Sequence, residues 1–170
     1  MHFNNESNFA ENNTHFHDFS IEENSDRDGV HNNGTCSGTA CPGFNFTNKK
    51  FGVSSVNFDG SDDSIAVPNS PSLNTYSAVT LEAWFKRNSN ACGGEAQLVA
   101  KQTAYTGYGF RMHTNCGFIQ GFSGNGVDWV GTSSYTLSSD AWYYAVMTYN
   151  SSHLRLFVNT TEVGSPTALP

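Results

Sequence analysis

Val79-Thr80-Leu81-Glu82-Ala83-Trp84-Phe85-Lys86 alternates without a break. Val79, Leu81, Ala83 and Phe85 fall on one side of an extended chain, and Thr80, Glu82, Trp84 and Lys86 on the other. Successive side chains of a strand point to opposite faces, so this stretch reads as a strand with one face in a core. Downstream, strand-like segments recur at 97–100, 109–112, 117–122 and 128–131. Trp142-Tyr143-Tyr144-Ala145-Val146-Met147-Thr148-Tyr149 and His153-Leu154-Arg155-Leu156-Phe157-Val158 follow, with Asn159-Thr160-Thr161-Glu162 as a hairpin tip leading into Val163. Upstream, Val56 and Phe58, then Asp59-Gly60-Ser61-Asp62, then Ile65 and Val67 read as a hairpin around an Asp-Gly turn. Thr14 to Phe19 alternates as one edge strand, and 21–39 is polar and reads as loop. No segment reads as a helix longer than a turn. Many short strands at regular spacing predict an all-β sandwich or barrel. The alternation predicts a core containing Phe58, Leu81, Ala83, Phe85, Val146, Leu154, Leu156 and Val158.

At 170 residues the chain makes one domain with a real core. Residues 1–52 are expected to supply an edge strand and a polar, cysteine-containing loop of that domain, and 53–170 its main body. Only 14% of residues are charged, and polarity comes from Asn, Ser, Thr and Gly, which suit turns and exposed strand faces. That balance points to an exported, extracellular or cell-surface protein. The net charge of −7, with Lys49-Lys50 the one basic run, leaves no cationic surface for nucleic acid or for anionic membranes. No apolar run approaches the roughly 20 residues of a membrane-spanning helix. The start Met1-His2-Phe3-Asn4-Asn5 has neither a basic end nor an apolar core, so an exported chain is expected to derive from a longer precursor with other domains.

Four cysteines allow three pairings. Cys36 and Cys41 enclose the turn-forming run Ser37-Gly38-Thr39-Ala40 and can close a small ring. Cys92 precedes a strand expected at 96–101, and Cys116 follows one expected at 108–113, so both lie at one end of a hairpin. The favoured pairs are therefore 36–41 and 92–116, with four free thiols as the alternative. No Cys-x-x-Cys spacing favours zinc.

Taken together, these segments resemble laminin-G-like jelly-roll domains. Residues 56–68 and Ser70-Pro71-Ser72-Leu73 are similar to that family's entry hairpin, and Asn32-Asn33-Gly34-Thr35 to the element before it. Residues 80–86 are similar to its signature strand, and 142–149 with 154–158 to its later strand pair. The resemblance implies a concanavalin A-like jelly-roll sandwich of two antiparallel sheets. Three departures stand out. The family continues past the Val163 strand, so the final strands are expected to be missing here. Asn159-Thr160 stands where Asp-Gly is usual, and 21–31 reads as an insertion. Some relatives hydrolyse β-glucans with acids at alternating positions on one strand, but no such array occurs in this chain. Pentraxin-like relatives carry acids where 102–108 has none, so that calcium site is not carried over.

The residues leave several candidate sites. Glu82 is the one acid well inside a predicted strand, and a lone carboxylate cannot serve as both acid and nucleophile, so no catalytic residue is assigned. No cofactor is required. Calcium is a candidate at Asn24, Asp26 and Asp28, which alternate before Gly29 as in the first half of a calcium loop, although Thr35 stands where the closing acid belongs. Ordinary loop chemistry explains the same residues. Asp59, Asp62 and Asp63 form a second acid cluster, read as a solvated tip, and His15 with His17 a weaker metal pair. For a sugar, exposed aromatic faces beside carboxylates are needed. Trp129, Asp128, Tyr105 and Trp84 are the candidates; the alternatives are that Trp84 is packed under the N-terminal segment and that Trp129 belongs to the core. Asn-x-Ser/Thr sequons occur at Asn5, Asn12, Asn33, Asn45, Asn150 and Asn159. The expected function is recognition of a glycan or a surface protein by a non-catalytic module. Alternatives are a structural spacer or adhesion domain, or an accessory part of a glycoside hydrolase.

Overall fold

A computed structural model gives the architecture and describes residues 12–16, 33–74, 77–88 and 94–169. The chain forms two compact units, Met1–Asn74 and Thr75–Pro170.

The first unit is built from short pieces. β1 (His15–Phe16) pairs antiparallel with β2 (Gly34–Thr35), and β3 (Gly43–Asn45) with β4 (Ser55–Asn57). Single 3₁₀ turns occupy Gly38–Ala40 and Pro71–Leu73, the second opened by Ser70, whose Oγ accepts from the Ser72 amide. The Cys36–Cys41 bridge is present, with its Cα atoms 5.1 Å apart.

Among its described residues the second unit holds ten strands in two antiparallel sheets. Its strands are β5 (Val79–Lys86), β6 (Ala96–Thr103), β7 (Thr106–His113), β8 (Phe118–Asn125), β9 (Trp129–Gly131), β10 (Tyr135–Thr136), β11 (Trp142–Tyr149), β12 (His153–Val158), β13 (Thr161–Glu162) and β14 (Thr167–Ala168). One sheet runs β13-β12-β11-β5 with β14 also on β12; the other runs β10-β8-β7-β6 with β9 also on β8. Phe85, Tyr143, Ala145, Met147, Leu154, Leu156 and Val158 of the first sheet share one buried cluster with Tyr108, Phe110 and Ile119 of the second. The unit is therefore a two-sheet sandwich. The sheets pack closely at Gly121, where an added Cβ would stand 2.9 Å from Met147 Cγ. A residue without a side chain lets the thioether fill the gap, which interior packing density requires.

The organising strand keeps its predicted alternation: Thr80, Glu82 and Trp84 are exposed, while Leu81 and Ala83 pack on the core and Phe85 is buried. Both long segments at 142–149 and 153–158 form strands with the bounds read from sequence. Leu154 and Leu156 are fully buried, worth about 1.5–3 kcal/mol each.

Two core assignments are corrected. Val146 pairs with Glu82 and Phe157, so it lies on the outer face, and Ala145 and Met147 point inward instead. The phase of β11 is fixed by its neighbours, and a one-residue slip would exchange its faces. Phe58 is 46% exposed, because it follows β4 into an open loop rather than continuing a strand. The hairpin expected across 56–67 is not formed either. The turn chemistry is there: the Asp59 amide donates to Asp63, the Ser61 amide to Asp59, and Gly60 takes φ 84°. The flanking segments choose other partners, β4 pairing β3 and Ala66 bridging Thr35.

Candidate functional site

Two hairpin tips of the second sheet build the site. The β6–β7 connection is the two-residue loop Ala104-Tyr105, closed by the Thr103–Thr106 pair, with Ala104 at φ 45°. The β8–β9 connection is built on Asn125, whose Oδ1 accepts from the amides of Val127 and Asp128 at 2.9 and 2.7 Å. This is the local side-chain turn that Asn favours. Gly126 then donates to the Tyr105 carbonyl at 2.8 Å, tying one tip to the other. A side chain at Gly124 would collide with that same carbonyl, 2.2 Å from its Cβ. Glycine is thus what lets the two tips close.

The result brings Tyr105, Asp128 and Trp129 together. The Tyr105 and Trp129 ring centroids are 6.3 Å apart and tilted by 52°. Tyr105 is 50% exposed and Val127 80%. Trp129 is half-buried, because Phe122 meets it edge-on at 5.3 Å. Phe122 in turn lies opposite Gly109 and under the Arg111 guanidinium, 5.6 Å away. Arg111 is fixed by Glu95 at 2.9 Å and by Gln120 at 3.1 Å, so the indole stands on an ordered base. Asp128 is exposed; one carboxylate oxygen accepts from the Trp129 amide, which leaves the carboxylate capacity to accept further bonds.

Trp84 does not join this group. It lies on the outer face of the other sheet, 40% exposed, stacked on Tyr144 at 5.2 Å. Tyr144 donates its hydroxyl to Glu82 in a short hydrogen bond. That bond, with a smaller desolvation effect and the Glu82 charge, holds the phenol above its ordinary pKa. This trio is a cross-strand product of the β5–β11 register, which sets Trp84 beside Tyr144; only the outward parity of Trp84 and Glu82 is readable from the sequence.

The other candidates fare differently. Asn24, Asp26, Asp28, His17 and Cys92 lie outside the described residues. Cys116 is buried and disulfide-bonded. Asp59, Asp62 and Asp63 bring carboxylate oxygens within 4.8 Å of one another, at an exposed loop whose shape two of them already hold. In the first unit a groove is lined by Thr14, Pro42, Phe44 and Phe46, and none of the described residues along it is charged.

Comparison with known proteins agrees with this architecture. The sequence profile of the concanavalin A-like lectin/glucanases superfamily matches residues 59–170, more than half of the chain. No curated protein and no solved structure matches it. A profile match over the whole two-sheet sandwich, joined to an all-β architecture, places the chain as a laminin-G-like member of the concanavalin A-like lectin/glucanases superfamily.

Proposed function

We propose that this chain is a non-catalytic recognition module of an exported or cell-surface protein, and that it binds carbohydrate at the joined hairpin tips. The observation that carries the reading is the Tyr105–Trp129 pair with Asp128 beside it. Aromatic faces take the apolar face of a pyranose, and an outward carboxylate oxygen accepts from its hydroxyls. The ordered Arg111–Phe122 base supports a preformed surface, which lowers the ordering cost of binding.

The placement of acids supports a non-catalytic role. Among the described strands the acids are Glu82 and Glu162. They lie in one row, Glu82–Val146–Phe157–Glu162, across four strands. Three strand spacings separate them by about 14 Å. Glycoside hydrolysis needs its two carboxyl groups at about 5–9.5 Å. Both acids are also engaged, Glu82 by Tyr144 and Glu162 by Arg155 at 3.1 Å.

The test is an array of neutral and acidic glycans probed with the intact protein, with and without calcium. The calcium arm also examines Asn24, Asp26 and Asp28. Tyr105→Ala should weaken binding about tenfold, the worth of one aromatic contact, and leave the thermal midpoint unchanged because Tyr105 is half exposed at a turn. Trp129→Ala should abolish binding with a modest loss of stability from the Phe122 contact. Binding indifferent to both substitutions refutes the site. An array without any hit favours a spacer or adhesion role.

A further inference from the structure

The sequons are not used by the binding site, and the structure separates them. We propose that Asn12 and Asn150 are acceptors for N-linked glycan, while Asn45 and Asn159 are not. This is independent of what the module binds.

The chemistry sets three requirements. The acceptor amide nitrogen must be accessible. The hydroxyl at the second following residue must reach the acceptor side chain. The local turn must form from short-range contacts, so that it exists wherever the transferase meets the chain. Asn150 meets all three. It is exposed at the β11–β12 turn, and its Oδ1 accepts from the Ser152 amide at 3.3 Å, the Ser152 hydroxyl at 3.0 Å and the His153 amide at 2.9 Å. Every one of these partners is within three residues, and all of them use the oxygen, so none engages Nδ2. Asn12 repeats the arrangement in the first unit: it is exposed, and its Oδ1 accepts from the Thr14 amide at 2.9 Å and the Thr14 hydroxyl at 2.8 Å.

Asn45 and Asn159 are held differently. Asn45 is half-buried within β3, and its Oδ1 holds the amides of Thr47 and Asn48 rather than the Thr47 hydroxyl. Asn159 turns its Oδ1 to the Tyr144 amide of the neighbouring strand at 3.0 Å, and Thr161 is already in β13.

In the transfer step, Asn Nδ2 forms a bond to the anomeric carbon of a lipid-diphosphate-linked sugar. The anomeric C–O bond breaks, the diphosphate leaves with the bonding pair, and the transferase takes the Nδ2 proton.

Position gives the modification a consequence. Arg87, just past β5, donates to the carbonyls of Cys116, just before β8, and Leu137 at 3.2 and 3.3 Å. The C-terminal end of β5 therefore sits with the N-terminal end of β8. At the opposite end the Asn150 turn shares its side of the unit with the Tyr105 and Asp128 tips. A glycan on Asn150 would stand beside those tips.

The experiment is export of the full chain from a host that performs N-glycosylation, followed by peptide mapping after enzymatic deglycosylation. Asn12 and Asn150 are expected to be occupied, with Asn45 and Asn159 bare. Asn150→Asp keeps the oxygen that caps the turn and removes the nitrogen, so it should lose one glycan at an unchanged thermal midpoint. Ser152→Ala should lose the same glycan and Ser152→Thr keep it. A folded, exported protein bare at Asn150, an Asn150→Asp variant with an undiminished glycan count, or equal loading of Asn45 and Asn159 would overturn the assignment.

Discussion

The two compact units hold themselves together by different means. The second has eight-residue strands whose inward positions pool into one core, with Ala145, Met147, Leu154 and Leu156 inaccessible to solvent. In the first, strands are two or three residues long. Of its large apolar side chains, Phe16 is buried while Phe46, Phe51, Val53, Phe58 and Val67 are all more than a third exposed. Order there rests on a six-residue disulfide ring and on side chains capping their own turns. A small assembly that buries little apolar surface needs such staples. The contrast shows why alternation over eight residues is a strong predictor: it commits one whole face to burial. Two or three residues commit nothing.

That contrast can be broken or sharpened by substitution. The largest effect is expected from Leu156→Ala, which empties part of the sandwich core and should cost about 2–5 kcal/mol by denaturant unfolding. An unchanged midpoint would mean that the core does not hold the second unit. Next, replacing Cys36 and Cys41 together by Ser opens that ring alone and leaves the Cys116 bridge intact, at a cost of about 2 kcal/mol in the chain-entropy description. Hydrogen exchange should then quicken in the first unit alone; equal loss of protection in β11 and β12 would show that the units do not have separate supports. A third change should stabilise. Asn159 and Thr160 both take positive φ, 50° and 71°, in the β12–β13 turn. Such a turn favours glycine, and a β-branched residue there is strained. Thr160→Gly should raise stability by about 1 kcal/mol, and a lower melting temperature would refute the strain. The smallest effect is expected from Val146→Thr, within about 0.5 kcal/mol for an outward position. A loss comparable to that of Leu156→Ala would return Val146 to the core.

Much of the second unit was legible. Both long late strands and the parity of the organising strand follow from period two alone. Parity within β11 was harder, because Trp142 to Tyr149 is apolar on both faces, and only pairing with β5 and β12 sets its phase. In the first unit the Asp-Gly signal correctly marks a turn, yet a turn does not dictate which strands pair across it. For the site, each of Tyr105, Asp128 and Trp129 could be picked out singly by glycine-rich surroundings. Their meeting depends on the Gly126-to-Tyr105 bond between two hairpins, which no local pattern encodes.

The contact between Gly121 and Met147 gives the sandwich a built-in clock. Peroxide can add oxygen to a methionine sulfur only when it reaches it. Met147 is wholly covered, with its Sδ 3.4 Å from where a Cβ at 121 would stand. Its sulfoxide should therefore accumulate in proportion to the time the core spends open, and once formed, the added polar oxygen would oppose reclosing. Oxidation of this one residue records how much of its time the fold spends open.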